Sequence, residues 1–188
     1  MSSPTKPAGG FQTFPQSTAT RARARPYAML VLANDGADAV AAAGGLLFDR
    51  ASAGWIVDVR TALPADETAF RILGVPVGAL ADAVDAIQEW PDALVVSGKL
   101  HGQDAAVREL FLKAANHTGT EVAMWGGQWP RDLEPGVGRV EHRLSHAAVA
   151  FKPHAMAAAG LPPDAEAAEE FHSGRTGFAL AGSRSASP

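Results

Sequence analysis

Cysteine is absent from this 188-residue chain, which removes disulfides, thiolate metal sites and thiol nucleophiles together. Aromatic residues are scarce at 7%, with a single tyrosine, whereas 47% of the residues are hydrophobic. The core must then be built mainly from Ala, Val and Leu, a composition suited to helices packed closely on a sheet. Basic residues are in deficit, 16 Lys and Arg against 20 Asp and Glu, for a net charge of −4. That balance argues against nucleic acid and anionic membrane as partners, since both need clustered basic side chains. The short cluster Arg21, Arg23 and Arg25 reads as part of a solvated linker. No run approaches the roughly 18 apolar residues of a membrane span, and the first 26 residues lack the apolar stretch of a secretory signal. A cytoplasmic location is expected. Phosphate fingerprints of the Gly-x-Gly-x-x-Gly or Walker type are also missing.

What is present is an alternation of elements. Residues 1–26 are rich in Ser, Thr, Pro, Gly and Gln without hydrophobic period, and read as a flexible arm. Residues 27–33 form a continuous apolar run closed by Asn-Asp-Gly, the pattern of a strand buried on both faces. An Ala- and Leu-rich helix is predicted over 38–53, ended by Gly54, and an alternating strand over 55–61. Further on, the spacing predicts a brief helix over 66–73, a helix over 77–90, strands at 93–97 and 121–125, a helix over 103–117 and an edge strand within 137–144. A last helix over 145–159 contains Pro153, which must break or kink it. The pattern specifies an α/β, Rossmann-like three-layer α/β/α domain over 27–160, with a mainly parallel sheet of four to six strands. Residues 161–188 read as a partly disordered tail whose docking point is Glu169-Glu170-Phe171.

In such sheets ligands collect beyond the carboxyl ends of the strands. Three polar loops fall there, over 34–38, 97–104 and 125–131. They hold Asn34, Asp35, Asp38, Ser97, His101, Asp104 and Trp125, of which Asn34, Ser97 and Trp125 are candidate substrate-binding residues. Each has a plainer reading. Acidic residues before a helix commonly cap it, a lone histidine is often solvated, and Trp125 and Trp129 either stack on a sugar ring or cover the core. Gly44-Gly45 reads as an allowance for close helix–sheet approach. His142 and His146 have the spacing of zinc ligands on a helix but lack the accompanying Glu.

Over about 27–160 the chain resembles the PIG-L/LmbE family of zinc-dependent N-deacetylases. Ala33-Asn34-Asp35-Gly36-Ala37-Asp38 stands where the family has Ala-His-Pro-Asp-Asp-Glu, and Gly44-Gly45 stands for its Gly-Gly pair. Pro91-Asp92-Ala93-Leu94-Val95-Val96 followed by His101-Gly102-Gln103-Asp104 matches its Pro-Asp strand and His-x-x-His motif, with Asp104 replacing the second His. Met124-Trp125, Pro130 and the stretches 140–145 and 148–152 are similar to the segment before its last helix. The resemblance implies a site in which zinc is held by His, Asp and His and a further Asp is the general base. Read from Ala33, the family His falls on Asn34 and its two Asp on Gly36 and Ala37. Counted back from Gly44-Gly45, the His falls on Asp35, the base on Ala37 and the ligand Asp on Asp38. The base is missing in both registers. In the second, the resemblance implies that Asp35, Asp38 and Asp104 converge as candidate metal ligands, where three carboxylates suit Mg, Mn or Ca better than Zn, and that His101 is the candidate catalytic residue.

Two functions follow from the resemblance. One is a divergent member without the usual zinc site, acting as a non-catalytic binding or regulatory protein for a sugar-derived small molecule or a protein partner, with no cofactor. The other is a metal-dependent N-deacetylase acting on an N-acetylated sugar derivative, with a divalent metal as its cofactor.

Overall fold

The computed structural model describes residues 25–84, 89–133 and 137–174. Its first strand, β1 (Ala28–Ala33), is buried at every position from Met29 onward. Its side chains alternate between two cores. Met29, Val31 and Ala33 join one hydrophobic cluster, Leu30 and Leu32 the other. A strand of this kind cannot lie at an edge or face water, because each buried Leu or Val contributes about 1.5–3 kcal/mol that exposure would forfeit.

Helix α1 (Gly36–Ser52) leaves β1 and packs on the first cluster. It ends where Gly54 takes a φ of +84°, a left-handed conformation that favours glycine. The chain returns as β2 (Ile56–Thr61), parallel to β1. After α2 (Glu67–Ile72) come β3 (Val77–Ala79) and the short α3 (Ala81–Val84). Strand β4 (Ala93–Ser97) is followed directly by α4 (Gly98–Gln103), then by α5 (Ala105–Asn116) and β5 (Glu121–Trp125). The chain finishes with β6 (Gly138–Arg143), α6 (His146–Ala158) and β7 (Ala168–Ser173). The seven strands form one mixed sheet in the order β3-β2-β1-β4-β5-β7-β6. Contacts among β3, β2, β1, β4 and β5 are parallel, and β7 runs antiparallel to both β5 and β6. The two clusters flank the sheet, one under α1, α2 and α6, the other under α4 and α5.

Several expectations need correction. The helix expected over 77–90 starts as β3, whose Val77 and Gly78 pair with Val59 and Arg60 of β2; only Ala81–Val84 is helical and 85–88 lie outside the described residues. Backbone pairing to an open sheet edge outweighs a helical spacing carried by three residues. The loop expected over 97–104 is α4. The sheet has seven strands, because the stretch after residue 160 contributes β7 between β5 and β6. Of the arm expected over 1–26, only Arg25 and Pro26 are described, and Arg25 pairs with Glu89 and Asp92.

Helix α6 passes through Pro153 without interruption. The proline removes one donor to the carbonyl of Val149, and Val149 is on the exposed side of the helix, where water can replace that donor. The inner side of the same helix carries Ala148, Lys152, Ala155 and Met156. Lys152 is buried against Glu169 of β7, Nζ to Oε1 at 2.7 Å. Glu169 also accepts from the amides of Gly45 and Leu46 at 2.7 and 2.9 Å. Of the two glycines beside this pair, only Gly45 is required by space. A Cβ on Gly45 would overlap the Leu144 side chain, and one on Gly44 would meet Lys152 Cγ at 3.5 Å.

Candidate functional site at the strand ends

The parallel order places β1 beside β4 where the chain direction across the sheet reverses, so their carboxyl ends open the crevice in which such folds bind ligands. Three side chains from separate elements meet there. Asp38, in the first turn of α1, accepts at Oδ2 from Ser97 Oγ at 2.9 Å and from Trp125 Nε1 at 3.1 Å. Ser97 ends β4 and Trp125 ends β5, and the two residues are paired across the sheet. Both are buried, at 1% and 4% exposure. Trp125 therefore has no ring face to offer a sugar, and Trp129, at 9%, packs on Phe111. Trp125 and Trp129 belong to the two core clusters, one on each face of the sheet. The turns after β4 and β5 also touch through backbone alone: a Cβ on Gly98 would overlap the Gly126 carbonyl, and Gly126 and Gly127 have φ of +61° and +68°.

Asp35 caps α1. Its Oδ1 accepts from the Asp38 amide at 2.8 Å, while Oδ2 accepts from Asn34 Nδ2 at 3.1 Å and lies 3.7 Å from Lys99 Nζ. The capping amide holds the Asp35 carboxyl below its ordinary range, with smaller help from Asn34 and Lys99. A depressed folded value means that Asp35 contributes stability above the ordinary Asp range and loses it as pH falls through the folded value. Asp35→Ala should cost about 0.5–2 kcal/mol in urea unfolding at neutral pH, and the loss should shrink in acid; equal losses at both pH values would contradict the capping role.

Asp104 is likewise a cap. It closes α5, Oδ1 accepting from Ala106 N and Val107 N at 2.9 and 3.0 Å. His101 lies on α4, not in a solvated loop, and is 8% exposed. Its ring meets Phe111 edge-on at 5.4 Å and its Nε2 is buried without a hydrogen-bond partner. Burial lowers its pKa, and the nearby Arg108 lowers it further. His142 and His146 sit on different elements, β6 and α6, and His142 Nε2 lies 3.0 Å from Asp49 Oδ2.

A zinc ion of the kind the resemblance implies does not fit this donor set. Asn34–Asp38 supplies no imidazole, Asp35 and Asp104 spend their carboxylates on helix amides, and Asp38 is engaged by two protein donors. Among the described residues, no three His, Cys, Asp or Glu side chains gather closely enough to hold a metal. Two ligand-sized hollows lie to one side of this crevice, and one of them adjoins Asp35. One of about 370 Å³ is lined by Asp35, Ala37, Pro64, Asp66, Phe70 and Gly160. Another, of about 320 Å³, lies over the ends of β2 and β3 and shares Pro64 and Ala65 with the first. Neither is lined by His101, Ser97, Asp104 or Trp125.

Sequence reasoning selected Asp38, Ser97 and Trp125, but as separate ligand contacts and not as one hydrogen-bonded unit. It missed the Lys152–Glu169 pair. The signal was available: a lysine on the otherwise apolar stripe of a helix, at positions 148, 152, 155 and 156, requires a buried partner of opposite charge.

No protein-family model and no curated protein matches the chain. Solved structures do. The A40926 pseudoaglycone deacetylase Dbv21 has a TM-score of 0.55 at 16% identity, over 77% of this chain and 96% of that one. A deacetylase of the teicoplanin biosynthesis pathway, in complex with teicoplanin, has a TM-score of 0.55 at 14% identity, over 78% and 97%. At these identities the likeness establishes the fold, and the chain has the fold of these deacetylases.

Proposed function

We propose that this chain uses the deacetylase fold for binding, taking an N-acetylated sugar derivative at the ends of β1, β4 and β5 without hydrolysing it. The supporting observation is the state of Asp38. Its carboxylate, in the position that one register of the sequence assigns to a metal ligand, already accepts from Ser97 and Trp125. Around it, the other candidate carboxylates cap helices, and residue 37, where a general base is expected, is alanine. Loss of proton transfer alone typically removes about 10²–10⁴-fold in rate.

A second reading is favoured by the likeness to two solved deacetylases over nearly their whole length. In it the chain is a metal-dependent N-deacetylase, with His101 catalytic and Asp35, Asp38 and Asp104 rearranged around a divalent ion. Acetate release from N-acetylglucosamine derivatives, measured with and without added Zn, Mn or Mg, separates the two. Under the binding reading no release is expected in any condition. Metal-stimulated release that falls in folded His101→Ala and Asp38→Ala variants would establish the enzyme.

A further inference from the structure

We infer that protein donors stand in for a cation at Asp38, and that they turn this carboxylate into a fixed acceptor which reads a hydroxyl or N–H of the ligand through Oδ1. Both donors converge on one oxygen: Ser97 Oγ and Trp125 Nε1 bond Oδ2. Oδ1 has no partner among the described residues, and Asp38 as a whole is half-buried. The donors themselves are buried and belong to the ends of two sheet strands, so the carboxylate plane is set by the fold. A donor already aimed at Oδ2 places a positive dipole where a cation would sit, and among the described residues no group of three His, Cys, Asp or Glu side chains is gathered to offset the loss. A neutral hydroxyl or amide hydrogen needs only one acceptor. It would gain a charge-assisted bond to a group that loses no rotamer freedom on binding.

The part concerning the ligand rests on the binding function proposed above; the part concerning the cation does not. In ¹⁵N-labelled protein, the indole resonance of Trp125, assigned by its loss in Trp125→Phe, reports directly on the bond to Asp38. The Asp38→Asn variant, folded by circular dichroism, should move this resonance. Manganese ions should leave it sharp, and N-acetylglucosamine should shift it. Affinity for the sugar should fall about tenfold to a hundredfold in Asp38→Asn. Ser97→Ala, which keeps the carboxylate but removes one of the two donors that fix it, should also weaken binding, and it keeps the test valid if Asp38→Asn does not fold. Manganese broadening of the Trp125 signal in the wild-type protein would overturn the inference. A sugar affinity unchanged by both substitutions would overturn the role of Oδ1. No response to sugar, with the resonance sharp in manganese, would instead remove the binding function while supporting a metal-independent Asp38.

Discussion

Glu169→Ala is expected to cost about 3–5 kcal/mol of folding stability, because it leaves Lys152 charged and buried without its partner. Both side chains are almost fully enclosed, at 3% and 2% exposure, so water cannot replace the lost carboxylate. The same change strips an acceptor from the amides of Gly45 and Leu46. Urea unfolding measures the loss. Replacing the pair together, as Lys152→Met with Glu169→Leu, should recover the part of the loss due to the unpaired lysine, since an apolar pair avoids two desolvation costs, but not the part due to the amides of Gly45 and Leu46, which stay without their acceptor. A loss below about 1 kcal/mol in the single variant would show that the pair is not what holds β7 in the sheet. Burial pushes the Glu169 carboxyl above its ordinary 4.5, against the opposing pull of Lys152 and the two amides. With a raised folded value, the contribution of this titration is fully present below 4.5 and is lost as pH rises through the folded value.

This latch explains where sequence reasoning stopped. The alternation of apolar runs and Ala-rich helices from residue 27 to 125 is local, and it is enough to read β1, α1, β2, β4, α5 and β5, because each buries a face set by its own period. Strand β7 carries no such period. Its residues Ala168–Ser173 include two glutamates and a histidine, and only a lysine on a distant helix makes one of those glutamates a core residue. The candidate site divides in the same way. That Asp38, Ser97 and Trp125 lie at strand ends follows from strand boundaries. That they form one unit depends on β4 and β5 being neighbours in register, Ser97 opposite Trp125, a fact of sheet order that spacing along the chain does not contain. Asp104 shows the converse. Its place after His101 fits a ligand motif, but the position is also the N-cap of α5, and two helix amides need an acceptor there whatever the site does.

The same contact between neighbouring strand ends makes Gly98→Ala the second large perturbation. The added methyl would overlap the carbonyl oxygen of Gly126 and come within 2.7 Å of its carbon and 2.8 Å of Gly127 Cα. All three are backbone atoms, so no side chain can swing away, and overpacking of this kind costs about 1–3 kcal/mol. The β5 turn has to retreat, carrying Trp125, the residue immediately before Gly126, away from Asp38. Loss of stability should therefore come with a shift of the Trp125 indole resonance and a weakened bond to Oδ2. Gly102→Ala is the matched control. It lies in the same short helix, α4, where an added Cβ would meet nothing within 4 Å, and alanine there should gain roughly 0.4–1 kcal/mol by restricting the unfolded chain. If Gly98→Ala unfolds at the wild-type urea concentration with its indole signal unmoved, the close approach of the two turns is not what positions Trp125 against Asp38.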